Sequence, residues 1–368
     1  MADPDSRGDD ILWIPKKTPP PWAEGFLDTP AGRVPRVAAS WGPAERRGRS
    51  RCRWSNAFRM NYKVDPGLYA SGSPSADSPV LVTANYKLSF DLLRRELAGI
   101  DAWILVLDTQ GINVWCAAGK GTFGTGELLR RMRAVNLETV VSHRRLVLPQ
   151  LGAPGIQAHV VRQQSGFAVD FGPVQARDLP AYLRAGRKAT PEMRTVRFGW
   201  LDRLELTPME LLPALRRYPW LLLGLFLLFG LRPEGILFRP ALLGGWSFAA
   251  LGLVMVLAGG FLVPLFLPWI PFRSFALKGW LVGAALTAGF LALRWGVVSQ
   301  NVFLVVLAAF FFPVASSFLA LLFTGTTVYT GLSGVQKEMR YALPLYIAGL
   351  ALTAASAVLA VIREWGLV

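Results

Sequence analysis

A change of character after Thr207 limits the fold of this chain more than any other feature. Five apolar segments follow, at about 211–231, 243–267, 278–297, 301–324 and 342–362. Each has about the 20 residues that a helix needs to cross ~30 Å of hydrocarbon. Within a bilayer every backbone N–H and C=O must find a partner inside the protein, which restricts such segments to helices. The first contains Arg216 and Arg217, which either snorkel to the interface or mark an amphipathic lead-in that enters the bilayer at Tyr218. An odd number of spans puts the two ends of this part on opposite sides. Arg216, Arg217, Arg273, Lys278, Lys337 and Arg340 then share the side of the preceding domain, against Arg232, Arg239, Arg294 and Arg363 on the other. That bias places the preceding domain inside. No segment has an acidic residue in its middle, so an ion-coupled transport path is not expected.

The part before Thr207 reads differently. Residues 1–50 are polar, rich in Pro, Gly and Arg, and lack the apolar stretch of a signal peptide, so disorder or loose order is expected. Residues 51–205 alternate strand-like and helix-like runs. Strands are expected at 80–82, 104–107, 139–142, 158–161, 167–171 and 194–198, and helices after Ser89, after Asn113 and over 125–134. The fold class expected is α/β, Rossmann-like with a mostly parallel sheet, followed at 206–368 by an all-α transmembrane domain of five helices. Ligands of such sheets sit beyond the carboxyl ends of the strands, so Thr83, Asn85, Thr109 and His143 are expected to converge on one crevice.

The chemistry-bearing stretch is 103–126. Its apolar run, Ile104-Leu105-Val106-Leu107, stops at Asp108-Thr109-Gln110-Gly111. A short helix follows, with Asn113 as its N-cap and Gly119 as its stop. Cys116 falls in the first turn, where free N–H groups and the positive end of the helix dipole suit a thiolate. Ala117 and Ala118 leave room for something broad and flat to approach the backbone. The same cysteine also reads as a small core hydrophobe, the usual role of a free Cys in an apolar segment.

The chain holds two cysteines, Cys52 and Cys116, and two histidines, His143 and His159. These cannot build a disulfide framework, a Cys/His zinc site or a four-cysteine iron–sulfur cluster, so electrons must come from another protein. Cys52, between two arginines, reads as an incidental surface residue. The net charge is +15, of which nine charges lie before Pro208. A lipid bilayer with anionic headgroups is the expected counterpart. Nucleic acid is not, because no recognition motif for it appears. Gly119-Lys120-Gly121-Thr122-Phe123-Gly124 satisfies GxGxxG, but a helical segment precedes it where a dinucleotide fold needs a strand.

The run Asn113-Val114-Trp115-Cys116-Ala117-Ala118-Gly119-Lys120 resembles the cap-helix motif of the HgcA family, the membrane-bound corrinoid proteins of microbial mercury methylation. The resemblance continues through Thr122-Phe123-Gly124-Thr125. It takes in Val82-Thr83-Ala84-Asn85-Tyr86-Lys87 and the run 141–155, and covers roughly residues 60–200. The soluble part is also similar to the large subunit of the corrinoid iron–sulfur protein, which carries cluster cysteines that this chain lacks. The resemblance implies a cobalamin-type corrinoid, with Cys116 as axial ligand of its cobalt in place of the cofactor's own base. It implies cofactor contacts from Thr83, Asn85, Thr109, Asn113, Val114, Trp115, Ala117, Gly119, Lys120, His143, Leu151 and Gly152. The implied activity is corrinoid-dependent methyl transfer to Hg(II), forming methylmercury. Hg(II) is a soft electrophile that takes a carbanion or radical equivalent, and a soft thiolate donor suits that cleavage. The implied partners are a ferredoxin-like iron–sulfur protein, HgcB in that family, as electron donor, and a methyl donor protein or methyltetrahydrofolate-type donor. The implied location is the cytoplasmic membrane, with the corrinoid domain facing the cytoplasm. A methyl carrier with another acceptor, and a membrane scaffold or transporter with a degenerate α/β domain, are the alternatives.

Overall fold

The structure, a computed structural model, describes residues 20–367. It divides into two compact units, Met1–Val196 and Arg197–Val368. The strands of the first are β1 (Ala23–Thr29), β2 (Gly32–Val37), β3 (Gly67–Ser71), β4 (Val80–Ala84), β5 (Ala102–Leu107), β6 (Arg145–Leu148) and β7 (Ala168–Phe171). Its helices are α1 (Pro43–Trp54), α2 (Asn56–Asn61), α3 (Lys87–Glu96), α4 (Val114–Lys120), α5 (Thr125–Ala134), α6 (Leu137–Val140), α7 (Ala158–Ser165) and α8 (Leu179–Arg184). One sheet runs in the order β1-β2-β3-β5-β4-β6-β7. It is mixed and mostly parallel, with β1/β2 and β3/β5 antiparallel.

Side chains alternate between two buried faces. Trp103, Leu105 and Leu107 of β5 join Leu128, Leu129 and Met132 of α5 in one core. Ala102, Ile104 and Val106 join Phe90 and Leu93 of α3 in the other. A strand covered on both faces reads as a continuous apolar run, which is what 102–107 shows. The chain leaves β4 through α3 to β5 on one side, then crosses through α4, α5 and α6 to β6 on the other. The carboxyl end of β4 is therefore a topological switch point, where a crevice opens.

Several expectations change. Residues 20–50 are not loose: β1 and β2 form a hairpin whose second strand pairs with β3, and α1 follows. The polar composition that suggested disorder belongs to an edge hairpin with one wet face; residues 1–19 lie outside the described residues. The strand expected at 139–142 is instead the end of α6, where Leu137 and Val140 bury one face, and the sheet resumes only at Arg145. The run 158–161 is the start of α7, stopped by Gly166 at φ 73°. Short apolar runs fit either period, and β-branched residues tipped both readings toward strand. At 194–198 no strand forms.

Among the described residues of the second unit, five helices are long and apolar enough to cross a membrane: Trp200–Gly230, Phe238–Leu265, Phe275–Gly296, Val302–Gly325 and Ser333–Glu364. Arg216 and Arg217 are exposed within the first. The third and fourth approach closely through small residues. A Cβ added to Gly279 would meet Ala320 Cβ at 2.6 Å and Ser316 O at 2.7 Å. Ser317 Oγ donates to Ala276 O at 2.6 Å across this seam. Small residues let apolar helices pack tightly where water supplies no driving force.

Candidate functional site

The loop from β5 into α4 is held from two sides. Asn85, just past β4, is 2% exposed. Its Oδ1 accepts from Thr109 N at 3.1 Å and Gly111 N at 2.9 Å, and its Nδ2 donates to Asp108 Oδ1 at 3.0 Å. Thr109 is fully buried, with Oγ1 2.8 Å from Asn85 Oδ1 and 2.7 Å from Ile112 O. From α5, Glu127 Oε1 accepts from Asp108 N at 2.8 Å and is itself paired with Arg131 at 2.9 Å. These bonds fix two successive left-handed residues, Gln110 (φ 59°) and Gly111 (φ 76°), which turn the chain into α4. Asn85 and Thr109 thus position the loop from below.

Asn113 caps α4, with Oδ1 accepting from Cys116 N at 2.9 Å. The helix does not stop at Gly119, which is helical. It ends at Gly121, in the left-handed region at φ 81°, where Gly121 N donates to Ala118 O. Ala117 and Ala118 are buried in the core. The turn at Gln150–Gly155 packs against the helix's far side, with no room for side chains. A Cβ on Gly152 would meet the Phe123 ring at 2.6 Å, and one on Gly155 would meet Phe123 O at 2.0 Å. Gly152 is therefore a packing residue.

The opposite face of α4 is open. Cys116 is half-buried, while Gly119 and Lys120 are exposed. Residues three and four apart share a helix face, so these three lie together. A Cβ added to Gly119 meets nothing within 4 Å. The result is one thiol beside a bare surface, on a helix fixed at both ends. Next to it lies a largely apolar cavity of about 310 Å³ at the carboxyl ends of β4 and β6. Thr83, Asn113, Val114, Trp115 and Leu151 line it. So do Ser89, Leu92 and Leu93 of α3 and Pro173, which the sequence reading missed; the apolar stripe of α3 was the available signal.

His143 does not join them. Because β6 begins only at Arg145, His143 sits at the amino end of the sheet, with Nε2 2.9 Å from Ser78 O and Nδ1 accepting from Arg145 N at 3.2 Å. Cys52 is not a surface residue either. It is fully buried beside Tyr86 and Leu88, and burial pushes its thiol up.

The donor set suits a metal that brings its own ligands. Among the described residues no group of three His, Cys, Asp or Glu could hold a metal ion. A single thiol on a bare face fits a corrinoid, whose ring nitrogens already surround the cobalt, and does not fit a naked ion.

Residues 57–183 match the family model described as CdhD, CO dehydrogenase/acetyl-CoA synthase delta subunit. The chain is similar to acetyl-CoA decarbonylase/synthase complex subunit gamma of Methanopyrus kandleri, 37% identical over 128 residues, 34% of this chain and 27% of the relative. The same subunit of Archaeoglobus fulgidus is 32% identical over 127 residues, and that of Methanosarcina acetivorans 33% over 129, with the same shares of each chain. The chain spans about a quarter of the length of these curated relatives. A corrinoid is the cofactor of that family, in keeping with the one expected from the sequence for this segment.

Proposed function

We propose that the first unit holds its corrinoid against the open face of α4, with Cys116 Sγ as axial donor to the cobalt. The chain then passes a methyl group to Hg(II), forming methylmercury, as the HgcA family does. The observation that carries this reading is the half-buried thiol of Cys116 beside the bare surface at Gly119. When bound, the corrinoid supplies a cobalt centre able to carry a methyl group; the protein's share is position and electronic tuning. Cys116 gives the metal a soft, strongly donating sulfur, which favours handing the methyl group to a soft electrophile. Asn113 holds the Cys116 N–H and so fixes the first turn from which the sulfur projects. Gly119 leaves space for a flat ring, and Lys120 adds a cation at its rim. Trp115, Thr83 and Leu151 line the adjoining, mostly apolar cavity and would hold the cofactor's periphery.

Cys52 is buried, so Cys116 is the accessible thiol of the chain. With no cluster cysteines in the chain, a ferredoxin-like protein such as HgcB supplies electrons, and a methyl donor protein or methyltetrahydrofolate-type donor supplies the methyl group. The five helices of the second unit cross the cytoplasmic membrane, with the first unit facing the cytoplasm; the distribution of basic residues supports that orientation.

Similarity to acetyl-CoA decarbonylase/synthase subunits favours a second reading, a corrinoid methyl carrier with a different acceptor. The test is anoxic reconstitution of the full chain with a corrinoid, loading with methyl, and addition of Hg(II) as its cysteine complex. Methylmercury formed by the wild type and lost in Cys116→Ala supports the first reading. A loaded protein that keeps its methyl group supports the second. Failure to take up any corrinoid rejects both and leaves a membrane scaffold.

A further inference from the structure

The amino end of the sheet carries a second concavity, unrelated to the cofactor crevice. It has a volume of about 550 Å³ and is lined by Asp77, His143, Arg144, Arg145, Arg162 and Arg187 with Gly166 and Ala168. Four guanidinium groups from the starts of β6, α7 and the turn after α8 meet there. Their carboxylate partners are few. Arg145 and Arg187 both lean on Asp170 Oδ2, at 3.6 and 3.7 Å, too far for a hydrogen bond. That oxygen is shut off from solvent and makes none. Arg144 has no carboxylate partner among the described residues; it donates to the backbone carbonyls of Val141 at 2.9 Å, His143 at 3.2 Å and Glu138 at 3.5 Å, and lies over the Phe167 ring at 5.2 Å. Among the described residues, no hydrogen bond or ion pair engages the Arg162 side chain.

His143 is tied to the backbone on both ring nitrogens. The backbone N of Arg145 lies 3.2 Å from its Nδ1, and its Nε2 lies 2.9 Å from Ser78 O. Against four arginines stand Asp77, which is engaged by Ser142 Oγ, and Asp170. The concavity therefore keeps about two uncompensated positive charges. Arg187 is also held at φ 66°, a left-handed backbone region that favours glycine. Arginine is the side chain best shaped to clamp a planar or tetrahedral oxyanion with paired N–H groups.

We infer that this pocket binds an anionic phosphate group, presented either by a soluble phosphorylated molecule or by an anionic lipid headgroup. The site does not depend on the corrinoid reading, because no cofactor-facing residue lines it.

The experiment is calorimetric titration of the purified full chain in detergent with inorganic phosphate and pyrophosphate. Saturable binding is expected, with tighter binding of pyrophosphate. Arg162→Gln, whose side chain has no described partner to lose, is expected to weaken it about tenfold or more. Arg187→Gly, which suits the left-handed backbone, is expected to do the same without loss of stability. No saturable binding by the wild type, or unchanged binding in both variants, overturns the inference. Repeating the titration in phosphatidylglycerol and phosphatidylcholine vesicles separates the sources. Weaker phosphate binding in the anionic vesicles alone identifies the headgroup; equal binding in both identifies a soluble ligand.

Discussion

The two ends of the β4–β6–β7 sheet are opposites in chemistry. At the carboxyl end the polar groups are spent on each other: Asn85, Thr109 and Glu127 are buried and bonded into the loop, and what faces outward is a thiol, a glycine and an apolar cavity. At the amino end the polar groups are left over, as guanidinium groups without matching carboxylates. The contrast teaches that a reactive group needs a rigid polar frame behind it, whereas a charge-recognition surface needs polar groups left unsatisfied. The first end suits a soft metal with a flat ligand, and the second suits a hard anion.

Substitutions can break this contrast or sharpen it. The largest effect is expected from Cys116→Ala, which abolishes methyl transfer while leaving the fold intact, checked by methylmercury yield and by circular dichroism. Arg162→Gln should leave that yield unchanged, and a shared loss would erase the distinction between the ends. Gly155→Ala forces a Cβ toward Phe123 O and should destabilise the first unit by about 3 kcal/mol, read by denaturant unfolding. Asn85→Ala strands the Thr109 and Gly111 N–H donors and should cost about 2 kcal/mol by the same measurement. Asn113→Ala removes the α4 cap, at about 1 kcal/mol, and should loosen corrinoid retention more than global stability.

The smallest effect concerns pH. Glu45 is pushed up by burial, but the Gly42 and Glu45 backbone N–H groups, Lys87 and Arg94 outweigh that and hold its carboxyl below the ordinary range. A lowered carboxylate pKa stabilises the fold above the ordinary Glu range and loses that contribution as pH falls through the lowered value. Glu45→Gln should therefore flatten the acid side of the stability profile and leave the neutral region little changed.

Much of this was legible in the sequence, and the misses have physical causes. The β5–α4 stretch announced itself because an apolar run, a polar stop and an Asn cap agree with one another. The five apolar helices were legible from length alone. His143 was misplaced because the β-branched residues before it mimic a strand, while α6 and a late start of β6 move it to the other end. Asn85 and Thr109 stand at the strand ends where they were expected, but their bonds to the loop were not legible: polarity at a strand end does not reveal whether a side chain points into the crevice or under the loop. The packing of Gly152 against the Phe123 ring was not legible, because the two come together only through the fold. Glu127 was overlooked, since a first-turn acidic residue normally needs no explanation beyond the helix dipole. The arginine pocket was invisible because its members are scattered from 144 to 187 and only the sheet assembles them.

The central claim is a sulfur–cobalt bond, and X-ray absorption at the cobalt edge of the oxidised holoprotein addresses it most directly. A sulfur scatterer bound to cobalt in the wild type, absent in Cys116→Ala, is the expected result. A first coordination shell of nitrogen and oxygen alone in the wild type would contradict it.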